Sequence, residues 1–188
     1  MRLFVAINLP DTLRHDIWTA TAALREAGFP VRWTDESVLH LTLKFLGEAD
    51  SSQLTEITGA LDKVVDGNRS FVLPFGGFGA FPSVERPRLI WVGCEGVPPL
   101  ELMQHGLEVG MERLGFPVEG RPFRPHLTLG RVHKDARPGA FRGLGKILEG
   151  LEYAGACTVA SVELMESRLG PGGARHQPVH SVRLVEPS

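Results

Sequence analysis

Cysteine is nearly absent from this 188-residue chain, which holds only Cys94 and Cys157. Two thiols so far apart form neither the close pair of a zinc or redox motif nor a disulfide framework. Long apolar runs are missing too, since no stretch approaches the roughly 20 residues of a membrane span. The opening MRLFVAINLPDTLRH has one early arginine, a short apolar run stopped by Pro10 and Asp11, and no small-residue cleavage site. That pattern predicts no secretory signal, and the cytoplasm is the expected compartment. Nor is there an excess of one charge: the net charge is −2, which argues against a broad basic face that coats long duplex nucleic acid.

What is present is ordinary in bulk: 43% of the residues are hydrophobic, enough to bury a full core. One local bias stands out. Residues 121–142 hold Arg121, Arg124, Arg131, Lys134, Arg137 and Arg142 against the single acid Asp135. This window predicts either a solvated surface or a site for a small anionic group.

The chain also repeats itself. Arg2-Leu3 recurs as Arg88-Leu89, each opening a short apolar run; GFPV at 28–31 recurs at 115–118; HLTL at 40–43 recurs at 126–129. Three matches in order near one offset of 86 or 87 residues predict two copies of a half-length unit. Residues 11–27 carry Leu13, Ile17, Ala20, Leu24 and Ala27 at helical spacing, and 99–114 carry Leu100, Met103, Leu107, Met111 and Leu114 likewise. In both, the glycine of GFPV follows as a helix stop. A further helix is predicted over 51–65 with a capping box at Asp50 to Gln53, and a weaker one, interrupted by glycines, over 140–150. Strands are predicted at 71–81, bent by glycines, at 156–169, and at 179–185, which closes the chain. The sum is an α+β fold of two pseudo-symmetric lobes, each a mostly antiparallel sheet with outer helices and a cleft between them. The whole of 1–188 is read as one bilobal domain with an internal repeat of roughly 1–85 and 86–170.

Strand alternation then assigns faces. In HLTLKFLG, His40, Thr42 and Lys44 point one way, and Leu41, Leu43 and Phe45 the other; in HLTLGR, His126 and Thr128 share a face. Packing rewards the leucines but gives no reason to repeat His and Thr on the opposite face. If the two polar faces meet across the cleft, two imidazoles and two hydroxyls converge. An imidazole titrates near pH 6.5, so one ring can take a proton while the other gives one. That pair suits in-line displacement at phosphorus, with the threonine hydroxyls donating to oxygens whose charge grows in the transition state. No metal or other cofactor is needed. His176 and His180 are four apart with Pro178 between them, a poor metal-binding helix, and His15, His105 and His133 read as ordinary surface or core residues.

On these residues the chain resembles the two-histidine phosphoesterases, whose signature is a pair of His-x-Thr/Ser-x tetrads in a bilobal fold, and within them the LigT-like RNA 2',3'-cyclic phosphodiesterases. The resemblance runs through RLFVAINLP, HLTLKFLG, FPSVERPRLIWVG at 81–93 and FRPHLTLGR at 123–131. It implies that His40 is the proton donor, His126 the proton acceptor, and Thr42 and Thr128 the phosphate-binding hydroxyls. It also matches Arg131 to an arginine that often follows the second tetrad, although strict alternation turns Arg131 away from the cleft. The implied reaction is metal-independent hydrolysis of an RNA-terminal 2',3'-cyclic phosphate, or of a cyclic nucleotide, to a 2'-phosphate. Reversible 2',5' joining of RNA ends is implied as well, with no membrane and no obligate protein partner. A non-catalytic module that binds nucleotides or RNA ends is the alternative.

Overall fold

A computed structural model of the chain describes residues 1–170 and 173–186. Strand β1 (Arg2–Asn8) leads into helix α1 (Asp11–Ala20), which opens directly after Pro10. The single helix predicted over 11–27 is broken. Thr21 separates α1 from α2 (Ala22–Glu26), and its hydroxyl donates to the Ile17 carbonyl at 2.8 Å, a back-bond that competes with the helical ladder. Gly28 at φ 72° then turns the chain into the short strand β2 (Val31–Trp33). Strand β3 (His40–Glu48) carries the first tetrad. The predicted capping box precedes α3 (Leu54–Val65): the Asp50 carboxylate accepts from Ser52 N at 2.9 Å, and Asp50 N donates to Gln53 Oε1 at 3.1 Å.

The second half runs β4 (Phe71–Pro82), β5 (Pro87–Cys94), α4 (Pro98–Glu112) and β6 (His126–Val132) with the second tetrad. It finishes with α5 (Leu144–Gly150), β7 (Ala154–Val159), β8 (Ser161–Gly170) and β9 (Gly173–Arg183). The copies differ after GFPV. Gly115 repeats the turn at φ 90°, but Val118 stays exposed and no strand equivalent to β2 follows it among the described residues.

The described strands form one sheet in the order β7-β4-β5-β6-β3-β1-β8-β9, with β2 paired to β6. The order is symmetric about the β6/β3 seam, where Leu127 faces Leu41. Each side is a four-strand antiparallel quartet, and the quartets exchange chain. β4, from the first half, joins β5, β6 and β7, while β8 and β9 join β1 and β3. The helices exchange too: α1 lies against β7 and α5 against β4, whereas α3 and α4 pack on each other, α3 also against β8 and β9 and α4 against β3. The run 156–169, predicted as one strand, therefore divides at Ala160 into two strands of different quartets. One residue spans only about 3.5 Å, so the sheet must curl until its ends come close. Arg69, before β4, indeed bridges Val185, after β9.

The helices cover one face of the sheet, where Val5, Leu41, Ile90, Leu127 and Val162 belong to one continuous core. Fully burying each such side chain stabilises the fold by roughly 1.5–3 kcal/mol. Among the described residues the opposite face carries a small separate buried apolar patch, Phe4, Ala6 and Met165. Hydrogen-bonded register also corrects one anchor of the repeat. Ala6 pairs with Thr42 and Trp91 with Thr128, an offset of 85, so Leu3 does not correspond to Leu89. Leu3 is core and Leu89 lies on the other face at half-burial, as a one-residue slip requires.

Candidate active site

Both tetrads sit in adjacent central strands, and the Leu41–Leu127 pair sets how they meet. On that antiparallel register His40 lies across from Thr128 and Thr42 across from His126, with the histidines on a diagonal. Diagonal neighbours in a regular ladder are roughly 7–8 Å apart. The leucines between them point into the helix-covered core, so the four polar side chains share the uncovered face.

Each imidazole is held in the same way. His40 Nδ1 lies 2.8 Å from the Val38 carbonyl and His126 Nδ1 lies 2.6 Å from the Arg124 carbonyl, two residues back in both cases. A carbonyl only accepts, so Nδ1 carries the hydrogen and Nε2 is the atom free to react. His40 Nε2 lies 3.1 Å from the Thr42 hydroxyl. Burial pulls the His40 pKa down to about 4; the Val38 carbonyl opposes this, while His176 and Arg131 push the same way. His126 is lowered by burial too, against the Arg124 carbonyl and with a further push from Arg131. Both rings are thus neutral near pH 7 until an anion enters, and a bound phosphate offsets the cost of protonating one of them.

The predicted faces hold for His40, Thr42, His126 and Thr128 and fail beyond them, because each strand bulges at the last residue of its tetrad, Leu43 or Leu129. Register slips on β1 against β3 between Val5/Ala6, and on β5 against β6 between Ile90/Trp91. A bulge reverses the alternation after it. Lys44, predicted beside His40 and Thr42, instead turns to the helices: it is 1% exposed, its Nζ lies 2.6 Å from Glu108 Oε2 on α4, and it donates to the Pro117 carbonyl at 2.9 Å. Phe45, predicted on the core side, comes to the histidine face and lies 6.2 Å from the Phe4 ring. In β6 the same reversal puts Gly130 on the core side and brings Arg131, which alternation turned away, to the histidine face, where its charge reaches both His40 and His126.

Aromatic side chains wall the pair. The Phe4 ring centroid is 5.0 Å from that of His40, and the Phe81 centroid is 5.2 Å from that of His126. Trp91 stands behind Phe81 at 5.2 Å. His176, dismissed as a metal ligand from the sequence, is part of this wall. Its ring lies edge-on to His40 at 4.9 Å and to Phe4 at 4.9 Å, and its buried Nδ1 has no hydrogen-bond partner among the described residues. No local signal marks His176. It reaches the site because β9 starts at Gly173, ahead of the predicted 179, and folds back along β8. His180 lies elsewhere, against Asp62 of α3. Among the described residues no cluster of three or more His, Cys, Asp or Glu side chains is arranged to hold a metal ion.

A family model described as LigT like Phosphoesterase matches residues 7–91 and again residues 93–176. The chain belongs to the LigT-like phosphoesterase family. The two matched segments begin as far apart as the two tetrads do, so each LigT-like half carries one tetrad histidine. An RNA 2',3'-cyclic phosphodiesterase of Methanothermobacter thermautotrophicus is 29% identical over 184 residues, 98% of this chain and 99% of the relative. Another, of Thermotoga maritima, is 36% identical over 132 residues, 70% of each. Among solved structures, a Thermus thermophilus protein superposes with a TM-score of 0.81 at 26% identity over 98% of both chains. E. coli LigT complexed with 3'-AMP superposes with a TM-score of 0.76 at 26% identity over 97% of both.

Proposed function

We propose that the protein hydrolyses a 2',3'-cyclic phosphate at an RNA end, or in a nucleotide, to a 2'-phosphate. The observation that carries this reading is the matched pair of Nδ1-anchored histidines, His40 and His126, on adjacent strands of a LigT-like phosphoesterase. His126 Nε2 takes a proton from water, which attacks phosphorus in line with the 3' oxygen. As the P–O3' bond breaks, His40 Nε2 gives its proton to that oxygen, and the proton count is restored by exchange with solvent. The hydroxyls of Thr42 and Thr128 donate to the two non-bridging oxygens, and Arg131 balances their charge. The negative substrate itself supports the acid, because it raises the pKa of a ring that burial holds low.

Because the two histidines come from the two halves of the repeat, the functional unit is the whole bilobal chain rather than either half. Two free cysteines fit a reducing compartment, and the cytoplasm is the proposed location. No helix among the described residues is long and apolar enough to cross a membrane.

The test is incubation with a nucleoside 2',3'-cyclic phosphate in excess EDTA, followed by identification of the product isomer. A 2'-phosphate formed at an undiminished rate is expected. A 3'-phosphate product would reverse the assignment of the cleaved bond, loss of activity restored by one divalent ion would remove the metal-free mechanism, and tight binding without turnover would leave a nucleotide-binding module.

A further inference from the structure

The reaction proposed above engages one phosphate, yet three arginines stand on the face that carries the two histidines. Strand β2 pairs with β6 so that Val31 lies across from Val132, Arg32 from Arg131 and Trp33 from Gly130. The faces follow from Gly130, where a Cβ would come within 2.5 Å of Val31 Cγ1 and 2.8 Å of Trp33 Cε3. Val31 and Trp33 therefore fill the core side, and Arg32 and Arg131 stand side by side on the histidine face. Arg2 comes to the same face from β1, where it alternates with Phe4 and Ala6. The charges of Arg32 and Arg2 both act on Arg131, whose pKa is lowered first by burial and then by these two neighbours.

None of the three arginines makes an ion pair among the described residues. Glu48, across from Arg2 on β3, turns instead to the N-terminal amine at 3.6 Å. Glu163, buried on this face, is taken up by Asn8, Ser161 and Ser181. Like charges directly opposite one another in an antiparallel pair destabilise it. Three converging, uncompensated guanidinium groups beside a phosphate-handling pair fit an anion the protein does not itself provide, and guanidinium groups are suited to grip phosphate oxygens.

We propose that Arg32 and Arg131, with Arg2 across the face, form a subsite for a second phosphate: the phosphodiester that joins the terminal nucleotide to the chain behind it. This rests on the reading that His40 and His126 act on a nucleotide phosphate, and it makes the preferred substrate an oligonucleotide end rather than an isolated cyclic nucleotide. Arg131 lies between the two positions, facing the histidines on one side and Arg32 on the other. Arg32 is the residue whose role is specific to the second phosphate.

The experiment compares two ligands that differ by one phosphodiester and the adenosine it attaches, adenosine 2'-phosphate and the dinucleotide adenylyl-(3'→5')-adenosine 2'-phosphate, by equilibrium titration of the full chain; the salt slope and Arg32→Gln separate the phosphodiester from the added base. Turnover of the corresponding cyclic phosphates is measured alongside. The dinucleotide should bind about 10-fold or more tighter to the wild type, the scale of one charge-assisted hydrogen bond. Its affinity should also fall more steeply with salt, by about 0.7 in log–log slope for the extra phosphate. Arg32→Gln should remove most of that advantage and the extra slope, with a smaller loss on the mononucleotide. Its Tm without ligand should rise, because a like-charge contact is relieved. Equal affinity of the wild type for both ligands overturns the subsite, as does an Arg32→Gln variant that loses both ligands equally with a lower Tm, the mark of a structural arginine. Turnover separates this proposal from the one beneath it. Discrimination by Arg32 without hydrolysis keeps the subsite and removes the enzyme, whereas hydrolysis with no discrimination does the reverse.

Discussion

The two tetrad strands, β3 and β6, share a backbone plan and diverge in what they attach to it. Each presents His and Thr to one face, anchors its imidazole to the carbonyl two residues back, and bulges at the fourth residue of the tetrad. On the core side of the bulge, however, β3 has Lys44 in a buried ion pair and β6 has Gly130, where Val31 and Trp33 leave no room for a side chain. On the site side β3 has Phe45 and β6 has Arg131. The walls differ likewise: Phe4 and His176 around His40, Phe81 and Trp91 around His126. The two imidazoles are thus held alike, and their surroundings make them unequal. His40 is the more deeply buried ring, drawn down to about 4, and it has a second imidazole as its neighbour. Unequal surroundings are what separate acid and base roles for two chemically identical groups.

The sharpest way to break the symmetry is to remove each histidine in turn. His40→Ala and His126→Ala should each cost on the order of 10²-fold to 10⁴-fold in kcat, the usual range for one general acid or base. The pH profile of kcat, which reports the substrate-bound enzyme, should lose its acidic limb in His126→Ala and its basic limb in His40→Ala; the opposite pattern would exchange the two roles. On the core side, Lys44→Met strands the Glu108 carboxylate, which also accepts from Gln104 and the Glu119 amide. Chemical denaturation should show a loss of about 3–5 kcal/mol, most of it recovered when Glu108→Leu is added. No equivalent pair exists at Gly130, so the β6 strand offers no such test.

Smaller effects sharpen the comparison. On the proposed mechanism Thr42→Ala and Thr128→Ala each remove a hydrogen bond to a charged phosphate and should lower kcat/KM about 10-fold to 150-fold with both pH limbs intact. Without substrate, the low pKa of His40 has a sign that can be checked. Its neutral form supports the fold above the unfolded pKa of about 6.5, and that support is lost as pH falls toward about 4, since the unfolded chain then binds the extra proton. Replacing His40 by Asn should flatten the fall in Tm over that window, while an unchanged fall would assign it to other groups. Least of all, His176→Phe keeps a ring against Phe4 and His40 but removes a charge that disfavours protonated His40. The basic limb of kcat should move slightly to higher pH and the acidic limb should stay. The shift is small because burial lowers the pKa of His176 as well.

Much of this was legible in the chain. The helix stripes over 51–65 and 99–114, the capping box at Asp50 and the glycine stops at 28 and 115 all follow local rules, and the structure has them. The histidine and threonine face was readable because a tetrad is short enough for alternation to hold. Two residues further it was not. A bulge is fixed by pairing with a neighbouring strand, so the turning of Lys44 inward and Arg131 outward had no local mark. His176 was illegible for a related reason, since its relation to His40 passes through β8 and β1 rather than through sequence distance.

The sequence alone therefore determined the family and the face shared by His and Thr in each tetrad, because these depend on residue identity and on spacings read directly along the chain. Which quartet each strand joins, which way the residues after each tetrad point, and the meeting of Arg2, Arg32 and Arg131 on one face were decided only by the tertiary structure. Those outcomes depend on hydrogen-bond register between strands distant in the chain, and a shift of one residue there reverses every side chain that follows.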